Sequence, residues 1–392
     1  MSGRVSARSA ILLLSVAVLV IGVRNQARAC TAVFVSAGGS VLVGNNEDAS
    51  MPLAKVWVVP GENGRYSRFY LGYAGDTATQ GGVNEKGLWF DSFSAEAKPV
   101  VALPGQTVFE GDMHDKIMAE CATVAEAVAL LHRYTLPFLS DNMLMIGDRT
   151  GASVIIEGNA VLPRRGPYQI VTNFRQSEHP DGGDFDARYR IAETMLKADP
   201  HVTVDSMRKI LAAVHQEGSV STVYSYICDL QNMKLYLYHF HNFENVVVID
   251  LKQELAKGSQ SRNLTELFPT TFAAEAFASQ SAAALELQKA ARRYPQFDAK
   301  TYPKFAGRYV VESPASMAGT MIVVSAEADR LHAELSSGGA VRELIPESTV
   351  RFSVWEPDQQ GTFVIFLDDP AGKVTGFVAD TRTGQITATR VP

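Results

Sequence analysis

The chain has 392 residues, of which 46% are hydrophobic and 20% are charged, values typical of a globular protein and not of a disordered one. This length exceeds one typical folding unit and predicts two domains. The formal net charge is −6, and an acidic balance argues against nucleic-acid binding.

The first 29 residues have the three parts of a secretory signal peptide. Arg4 and Arg8 carry positive charge, residues 11–23 form an apolar run, and the small residues Ala27 and Ala29 follow. A run of about 13 apolar residues is short of the roughly 20 that span a membrane, so a retained transmembrane helix is the weaker interpretation. We therefore predict cleavage after Ala29, export to the periplasm or the medium, and no stable membrane span afterwards.

Cleavage would leave Cys30 with a free α-amino group beside its own thiol. A thiol attacks only as the thiolate, and an α-amine with a reference pKa of about 7.7–8.0 can act as a local base. One residue then supplies both nucleophile and base, as an N-terminal threonine does.

Two other interpretations of Cys30 stay open. It could be a buried structural cysteine, which is the usual fate of a free thiol. It could also be lipidated and anchor the chain to a membrane, although Ala27 and Arg28 differ from the leucine and small residue that bacterial lipidation sites favour.

The segment after Cys30 predicts a hairpin of residues 31–35 and 41–43 around a glycine-containing turn. The polar run 44–48 follows and places Asp48 opposite Cys30. A second hairpin is predicted with residues 82–87 as the turn between 70–73 and 88–90.

Helical spacing predicts a helix over 115–134, with Thr123 and Glu126 capping a second part of it. Further elements alternate in type: a meander of 142–148, 152–157 and 168–173, helices over 186–198 and 204–214, and a strand pair of 222–228 and 234–240. This order predicts an α+β fold with antiparallel sheets.

The C-terminal third changes in composition. Residues 258–302 are rich in Ala, Ser, Gln and Lys, and we interpret them as a connector with a helix over 275–293. Residues 303–392 are all-β in pattern and predict a small barrel or sandwich. The predicted divisions are 1–29 as signal peptide, 30–257 as catalytic domain, 258–302 as connector and 303–392 as β domain.

Metal and disulfide signals are weak. Cys30, Cys121 and Cys228 match no zinc pattern, and Cys121 and Cys228 could form one disulfide or stay two buried thiols. No metal-ligand spacing is evident among the five histidines considered: His114, His179, His215, His239 and His241. We predict neither a metal nor an organic cofactor.

Five short motifs occur in order: 30–31, 44–48, 84–88, 171–173 and 187–189. In this order residues 30 to about 250 resemble the N-terminal-nucleophile (Ntn) hydrolases of the choloylglycine hydrolase and penicillin V acylase group, which includes acid-ceramidase-like amidases and related acyltransferases. The resemblance implies a four-layered αββα fold. It also implies hydrolysis of a linear amide C–N bond through an acyl-enzyme.

The resemblance implies a role for each matching residue. Cys30 is the nucleophile, Asp48 orients its amine, and the Asn173 side chain stabilises the oxyanion. Arg188 lines the site, and Ser94 supplies a backbone N–H to the same oxyanion. Fixed donors where charge develops typically contribute about 3–4 kcal/mol each. A turn or cap role for Asp48 and Asn173, and a surface ion pair for Arg188, are the alternatives.

The chain departs from this group at Asn45, where the bile-salt and penicillin V enzymes carry arginine. Asn45 either donates a hydrogen bond to substrate or finishes a turn, and we favour the turn. The run 45–50 is also similar to exported dipeptidases of a neighbouring Cys-nucleophile family.

These observations predict an exported cysteine amidohydrolase with a small-molecule N-acyl amide as substrate. The alternatives are a Cys-nucleophile dipeptidase, an acyltransferase, or a lipid-anchored, non-enzymatic binding protein. The C-terminal domain resembles lipocalin-like modules of exported hydrolases, which implies no activity. The pattern leaves a homo-oligomer open.

Overall fold

A computed structural model describes residues 30–73, 79–109, 111–179, 186–199, 201–314, 317–336, 341–355, 362–381 and 384–392. The predicted signal peptide lies outside the described residues. Among the described residues, no helix combines the length and apolar character needed to cross a membrane.

The N-terminal part is built mainly of strands. In chain order they are β1 (Thr31–Ala37), β2 (Ser40–Ala49), β3 (Ala54–Val59), β4 (Arg68–Tyr73), β5 (Thr79–Asn84), β6 (Leu88–Ser94), β7 (Thr107–Val108), β8 (Tyr134–Thr135), β9 (Asn142–Asp148), β10 (Ser153–Glu157), β11 (Ala160–Pro163), β12 (Tyr168–Val171), β13 (Ser221–Asp229), β14 (Lys234–His239), β15 (Asn242–Asp250) and β16 (Gln260–Asn263).

The helices and the C-terminal strands complete the chain. The helices are α1 (Met113–Glu120), α2 (Val124–Leu131), α3 (Ala187–Ala198), α4 (Val204–Ala213), α5 (Leu251–Ala256), α6 (Phe272–Arg292) and α7 (Tyr302–Phe305). The later strands are β17 (Gly307–Ser313), β18 (Met321–Glu327), β19 (Arg330–Leu335), β20 (Arg342–Pro346), β21 (Arg351–Val354), β22 (Phe363–Asp368), β23 (Val374–Thr381) and β24 (Gly384–Val391).

Two antiparallel sheets pack face to face in the N-terminal part. The first has the order β12-β1-β2-β13-β14-β15, and the second has the order β11-β10-β9-β6-β5-β4-β3-β16. Alternation along β1 sends Ala32 and Phe34 into the core between the sheets and Val33 and Val35 to the outer face. Each sheet therefore has one face for its partner sheet and one for helices.

Helices cover both outer faces. α3 and α4 pack on the first sheet through Ala192, Met207 and Leu211, while Ile117 of α1 and Leu130 of α2 pack on the second. The layers are therefore helix, sheet, sheet and helix, so the predicted α+β, αββα architecture is confirmed.

The C-terminal strands β17–β24 close into an eight-stranded barrel. α7 leads into it and buries Phe305, whose ring centroid lies 5.0 Å from that of Phe352 and 4.8 Å from that of Phe366. α6 contacts the barrel wall where Lys289 Nζ lies 2.7 Å from Glu343 Oε2. The predicted small barrel is confirmed.

Several local predictions hold and others need correction. The helix predicted over 115–134 is two helices, and Thr123 caps α2 by accepting from Glu126 N at 3.2 Å. The predicted turn at 82–87 is too long, because residues 82–84 belong to β5. Gly82 fits there since a Cβ would lie 2.6 Å from Tyr70 Cδ1 of the neighbouring strand.

The predicted meander is wrong in its third strand. β9 and β10 pair with each other, but β12 crosses to the other sheet and pairs with β1, with Ile170 opposite Val33. Ile170 then packs among the residues that α3 and α4 cover. This crossing brings the chain after β12 to the start of β1.

All three cysteines are free and buried. Cys121 packs with the helices on the second sheet and Cys228 lies in the core between the sheets. Burial, with the nearby Glu126 and Glu120, raises the pKa of the Cys121 thiol to about 11. Cys121 and Cys228 are thus two buried thiols in this structure.

Gly147 of β9 leaves the space that the Phe34 side chain of β1, in the other sheet, occupies. A Cβ there would lie 2.4 Å from Phe34 Cε2, so we expect Gly147→Ala to lower the free energy of unfolding by about 1–3 kcal/mol through overpacking. Chemical denaturation measures this loss. In a Phe34→Leu background the same change should cost less, and an equal cost in both backgrounds would contradict the packing argument.

Candidate active site

Cys30 lies one residue before β1 and is only 1% exposed. Burial raises the pKa of its thiol well above the usual value, and the charges of Glu47, Asp48 and Asp91 raise it further. A hydrogen bond from the backbone of Asp48 opposes this rise. The surroundings of the thiol are therefore rich in buried carboxylates.

The polar residues of β2 are divided between its two faces. Asn45 and Glu47 face the second sheet: Asn45 Nδ2 donates to Asp91 Oδ2 of β6 at 3.0 Å, and Tyr73 OH of β4 donates to Glu47 Oε1 at 2.6 Å. Asp48 points the other way, towards the helical layer. Cys30 thus has acidic groups on both sides of the first sheet.

Asp48 is held by neutral donors from the segment around β13. Gln216 Nε2 donates to Oδ2 at 2.7 Å, and Thr222 Oγ1 donates to Oδ1. Burial raises the pKa of Asp48 to about 7, against the opposing effects of these two bonds and of Arg188. The ionised form of this carboxylate is therefore available near neutral pH.

Arg188 lies in the first turn of α3, whose N-cap is Asp186. Its guanidinium donates to Cys30 O at 3.2 Å and to Asn173 Oδ1 at 3.0 Å, and Nη1 lies 3.5 Å from Asp48 Oδ2. It also forms an ion pair with Asp186. One side chain of the outer helix therefore contacts three of the predicted site residues.

Asn173 follows β12 and lies beside the end of β6. Its Nδ2 donates to Ser94 O at 2.9 Å, while Arg188 donates to its Oδ1. The two contacts fix the orientation of the amide, with the NH₂ group on the side of Ser94. Ser94 is thus in the site, although the contact recorded for it is through its carbonyl and not through the predicted N–H.

Asn45 does not finish a turn, and that interpretation is wrong. It lies within β2, opposite Ala32, and is fully buried. Its Nδ2 contacts both Asp91, at 3.0 Å, and Glu47 Oε2, at 3.3 Å. Asn45 Oδ1 has no hydrogen-bond partner among the described residues.

The guanidinium of Arg188 joins Cys30, Asp48 and Asn173, and Ser94 lies beside Asn173. Asn45 contacts Glu47 and Asp91 instead, whose charges act on Cys30. Sequence reasoning missed four of their hydrogen-bond partners: the buried Glu47, Asp91 and Thr222, and the half-buried Gln216. Strand alternation through Val43, Asn45 and Glu47 was a usable signal for Glu47. No local pattern marks Gln216 or Thr222, because their partner Asp48 is more than 160 residues away.

An acidic pair also lies under the site. Burial raises the pKa of Asp91 well above its usual value, and the charge of Glu47 adds to the rise. Asp91 accepts from Tyr226 OH at 2.7 Å and from Ser92 N at 2.8 Å. A Cβ at Gly81 would lie 2.3 Å from Asp91 Oδ2, so glycine leaves the space that this carboxylate fills.

No known family model matches the chain, and no curated protein matches it. Its structure is similar to a mutant of the conjugated bile acid hydrolase from Clostridium perfringens, with 16% identity and a TM-score of 0.49 over 62% of this chain and 97% of that one. It is also similar to penicillin V acylase from Agrobacterium tumefaciens, with 16% identity and a TM-score of 0.45 over 60% and 90%.

A third similar structure is a Caenorhabditis elegans ortholog of N-acylethanolamine-hydrolyzing acid amidase, with 15% identity and a TM-score of 0.39 over 59% of this chain and 99% of that one. Each of these three alignments covers about 60% of this chain, and the TM-scores lie between 0.39 and 0.49.

The contacts of Arg188 predict a large structural cost for its removal. Arg188→Met would leave the carboxylates of Asp48 and Asp186 without their cation, and we expect a loss of about 3 kcal/mol in unfolding free energy. Urea denaturation measures it. Lys197→Met on the same helix removes an exposed pair with Glu193 and should leave the unfolding free energy nearly unchanged. Similarly small losses of unfolding free energy in both variants would contradict this stabilising role of Arg188.

Proposed function

We propose that the protein is an exported cysteine amidohydrolase in which removal of residues 1–29 frees Cys30 as an N-terminal nucleophile for linear N-acyl amides. The observation that carries the proposal is the convergence on Cys30 of residues from separate segments, with Arg188 contacting Cys30 O, Asp48 and Asn173. Acyl transfer requires a nucleophile, a base and oxyanion donors in fixed positions.

The charges around Cys30 support activation by its own amine. Glu47, Asp48 and Asp91 all raise the pKa of the thiol in the continuous chain, so they disfavour an isolated thiolate there. The same carboxylates favour a cation at this place. When the α-amine accepts the thiol proton, it becomes that cation, and the thiolate forms beside a positive charge.

The reaction then proceeds through an acyl-enzyme. The Cys30 thiolate attacks the carbonyl carbon, a C–S bond forms, and negative charge develops on the carbonyl oxygen. The NH₂ group of Asn173 and a backbone N–H at Ser94 stabilise this charge. The α-ammonium gives its proton to the leaving nitrogen as the C–N bond breaks. Water, deprotonated by the amine, finally cleaves the thioester and releases the acid.

Asp48 orients the amine in this scheme and does not touch the reacting carbon. Its carboxylate is fixed from the far side by Gln216 and Thr222. An ionised Asp48 attracts the α-ammonium and holds it near the thiol. The hydrogen bonds from Thr222 and Gln216 then help to keep this buried carboxylate ionised.

The acidic pair of Glu47 and Asp91 favours a second candidate function, the hydrolysis of dipeptides. Asn45 supplies one NH₂ group to both Glu47 and Asp91, where an arginine would have supplied a positive charge. A substrate that carries a free ammonium group next to the cleaved amide, such as a dipeptide, would meet negative charge here. Comparison of dipeptides with their N-acetylated forms separates this candidate from a neutral N-acyl amide hydrolase.

The proposal is tested first by maturation and by the nucleophile. Intact mass of the exported protein should give Cys30 as the first residue with an unmodified amine. Cys30→Ser should abolish or severely weaken hydrolysis, since a hydroxyl has a far higher pKa than a thiol. Release of the acid from a panel of N-acyl amides measures the activity.

Cys121→Ser is the matched control, because Cys121 is another buried cysteine but packs with the helices on the outer face of the second sheet. It should keep parental activity. A diacylglyceryl-modified Cys30, a chain that still begins before it, or full activity of Cys30→Ser would each remove the proposal.

The pH dependence gives an independent test. Burial raises the pKa of Asp48 to about 7 in the continuous chain, and an adjacent α-ammonium lowers it. We therefore expect kcat/KM of the processed enzyme to fall on the acidic side, at a pH below about 7, because the neutral acid no longer attracts the ammonium. At pH values where the parental Asp48 is ionised, Asp48→Asn should cost more activity than Asn45→Ala. Asn45→Arg places a cation between Glu47 and Asp91 and should shift the acidic limb to lower pH.

The measurement is kcat/KM against pH for these three variants and the parent. Asn45→Ala serves as control for the loss of the side chain without added charge. If Asp48→Asn follows the parental profile throughout, Asp48 does not orient the amine.

A further inference from the structure

We propose that His215, Glu217 and His241 form a binding site for a divalent transition-metal ion such as Zn²⁺. Gln216 connects this site to the candidate active site, because its side chain donates a hydrogen bond to Asp48. The ligand atoms of the three side chains lie within 4.8 Å of one another. Two imidazoles and one carboxylate match the nitrogen and oxygen ligands that Zn²⁺ takes in proteins.

The fold makes this cluster from two separate loops. His215 and Glu217 lie between α4 and β13, and His241 lies in the turn between β14 and β15. Because β13 and β14 are paired, both loops emerge at the same end of the first sheet. The imidazole rings of His215 and His241 stack with centroids 5.1 Å apart.

The turn that presents His241 is unfavourable for its sequence. Phe240 and His241 have φ values of 49° and 44°, in the left-handed region that glycine and asparagine favour in two-residue hairpins. Phe240 is explained by packing, since it is 4% exposed and its ring lies 5.1 Å from that of Phe277. His241 is half-buried at the surface, and this turn holds its imidazole beside that of His215.

The hydrogen bonds of His215 are those of a metal-bound histidine. Its Nδ1 lies 2.6 Å from Ala212 O, and its Nε2 lies 2.9 Å from Glu217 Oε1. Both neighbours are acceptors, which an imidazolium or a metal-bound imidazole satisfies, whereas a neutral imidazole donates through one nitrogen only. Metal-bound histidines commonly donate their second N–H to a backbone carbonyl, which Ala212 provides. An ion between Nε2 and Glu217 satisfies both of these groups.

The ligand set selects the class of ion. Imidazole suits zinc, copper and nickel, while calcium and magnesium prefer all-oxygen sites. Zn²⁺ binds nitrogen and oxygen at about 2.0–2.2 Å, so the three ligand atoms must draw closer together. Glu217 is exposed, with a side-chain exposure of 70%, and can rotate to do so. Water completes the coordination.

The cluster is mechanically linked to the candidate active site. Gln216, between His215 and Glu217, donates from Nε2 to Asp48 Oδ2 at 2.7 Å. Its backbone is bound to Thr222 in both directions, at 2.8 and 2.9 Å, and Thr222 is the other neutral donor to Asp48. An ion bound by His215 and Glu217 would therefore hold the loop between α4 and β13 in the position where it contacts Asp48.

Titration calorimetry with ZnCl₂ tests this site on the exported full chain. The Cys30→Ser variant is used as the parent, because an N-terminal thiol and amine would themselves bind zinc. We expect one Zn²⁺ per chain, a higher Tm with Zn²⁺, and no effect of equal Mg²⁺ or Ca²⁺. His241→Ala should weaken binding by at least about 100-fold, beyond the 10–100-fold that loss of an outer partner causes.

Glu217→Gln is the second variant, since it keeps the side-chain shape and does not alter the strained turn. It should also weaken Zn²⁺ binding, whereas His332→Ala in the barrel should bind as the parent does. Absence of saturable Zn²⁺ binding, or unchanged affinity in both His241→Ala and Glu217→Gln, would overturn the site. The readout is binding, so the result is independent of whether Cys30 is a nucleophile.

Discussion

The guanidinium of Arg188 is the interaction on which the site depends. It joins the outer helical layer to the start of β1, to β2 and to the chain after β12, through Cys30 O, Asp48 and Asn173. A planar fork with five N–H donors can serve these directions at once, which a lysine ammonium on a flexible stem cannot. Asp186 anchors the fork while also capping α3. The position of the helix and the geometry of the site are therefore set by the same side chain.

Three buried carboxylates, Glu47, Asp48 and Asp91, set the electrostatics around Cys30. Asp48 is paired with the guanidinium of Arg188. The donors described for Glu47 and Asp91 are neutral groups: the Asn45 amide, the Tyr73 and Tyr226 hydroxyls and the Ser92 N–H. Position 45 is asparagine, so no arginine at that position stabilises a thiolate. The site stabilises a positive charge, and the α-amine of a processed Cys30 is the group that would carry it. In the proposed mechanism, a neutral asparagine at position 45 therefore goes together with activation of Cys30 by its own amine.

Local sequence patterns predicted what is local in the structure. The turn at Gly38 and Gly39, with φ values of 60° and 81°, pairs β1 with β2 and sets Cys30 near Asp48. Caps and helical spacing placed α2, α3 and α4, and regular strand spacing gave the barrel. The crossing of β12 to the other sheet was not predictable from spacing, because it is decided by which distant strand buries Ile170. Asn45 was misplaced since polar residues in a buried strand have the composition of a turn.

The loop between α4 and β13 also controls the ionisation of Asp48. Burial raises the pKa of Asp48, and the hydrogen bonds from Gln216 and Thr222 are what oppose this rise most strongly. If the loop moves away, the opposing bonds are lost while most of the desolvation stays, so Asp48 takes up a proton at a higher pH. The carboxylate would then be neutral near pH 7 and would no longer attract an ammonium group. The ionisation of Asp48 is therefore a property of the loop as much as of the carboxyl group, and whatever holds His215 and Glu217 in place also holds the site in its charged form.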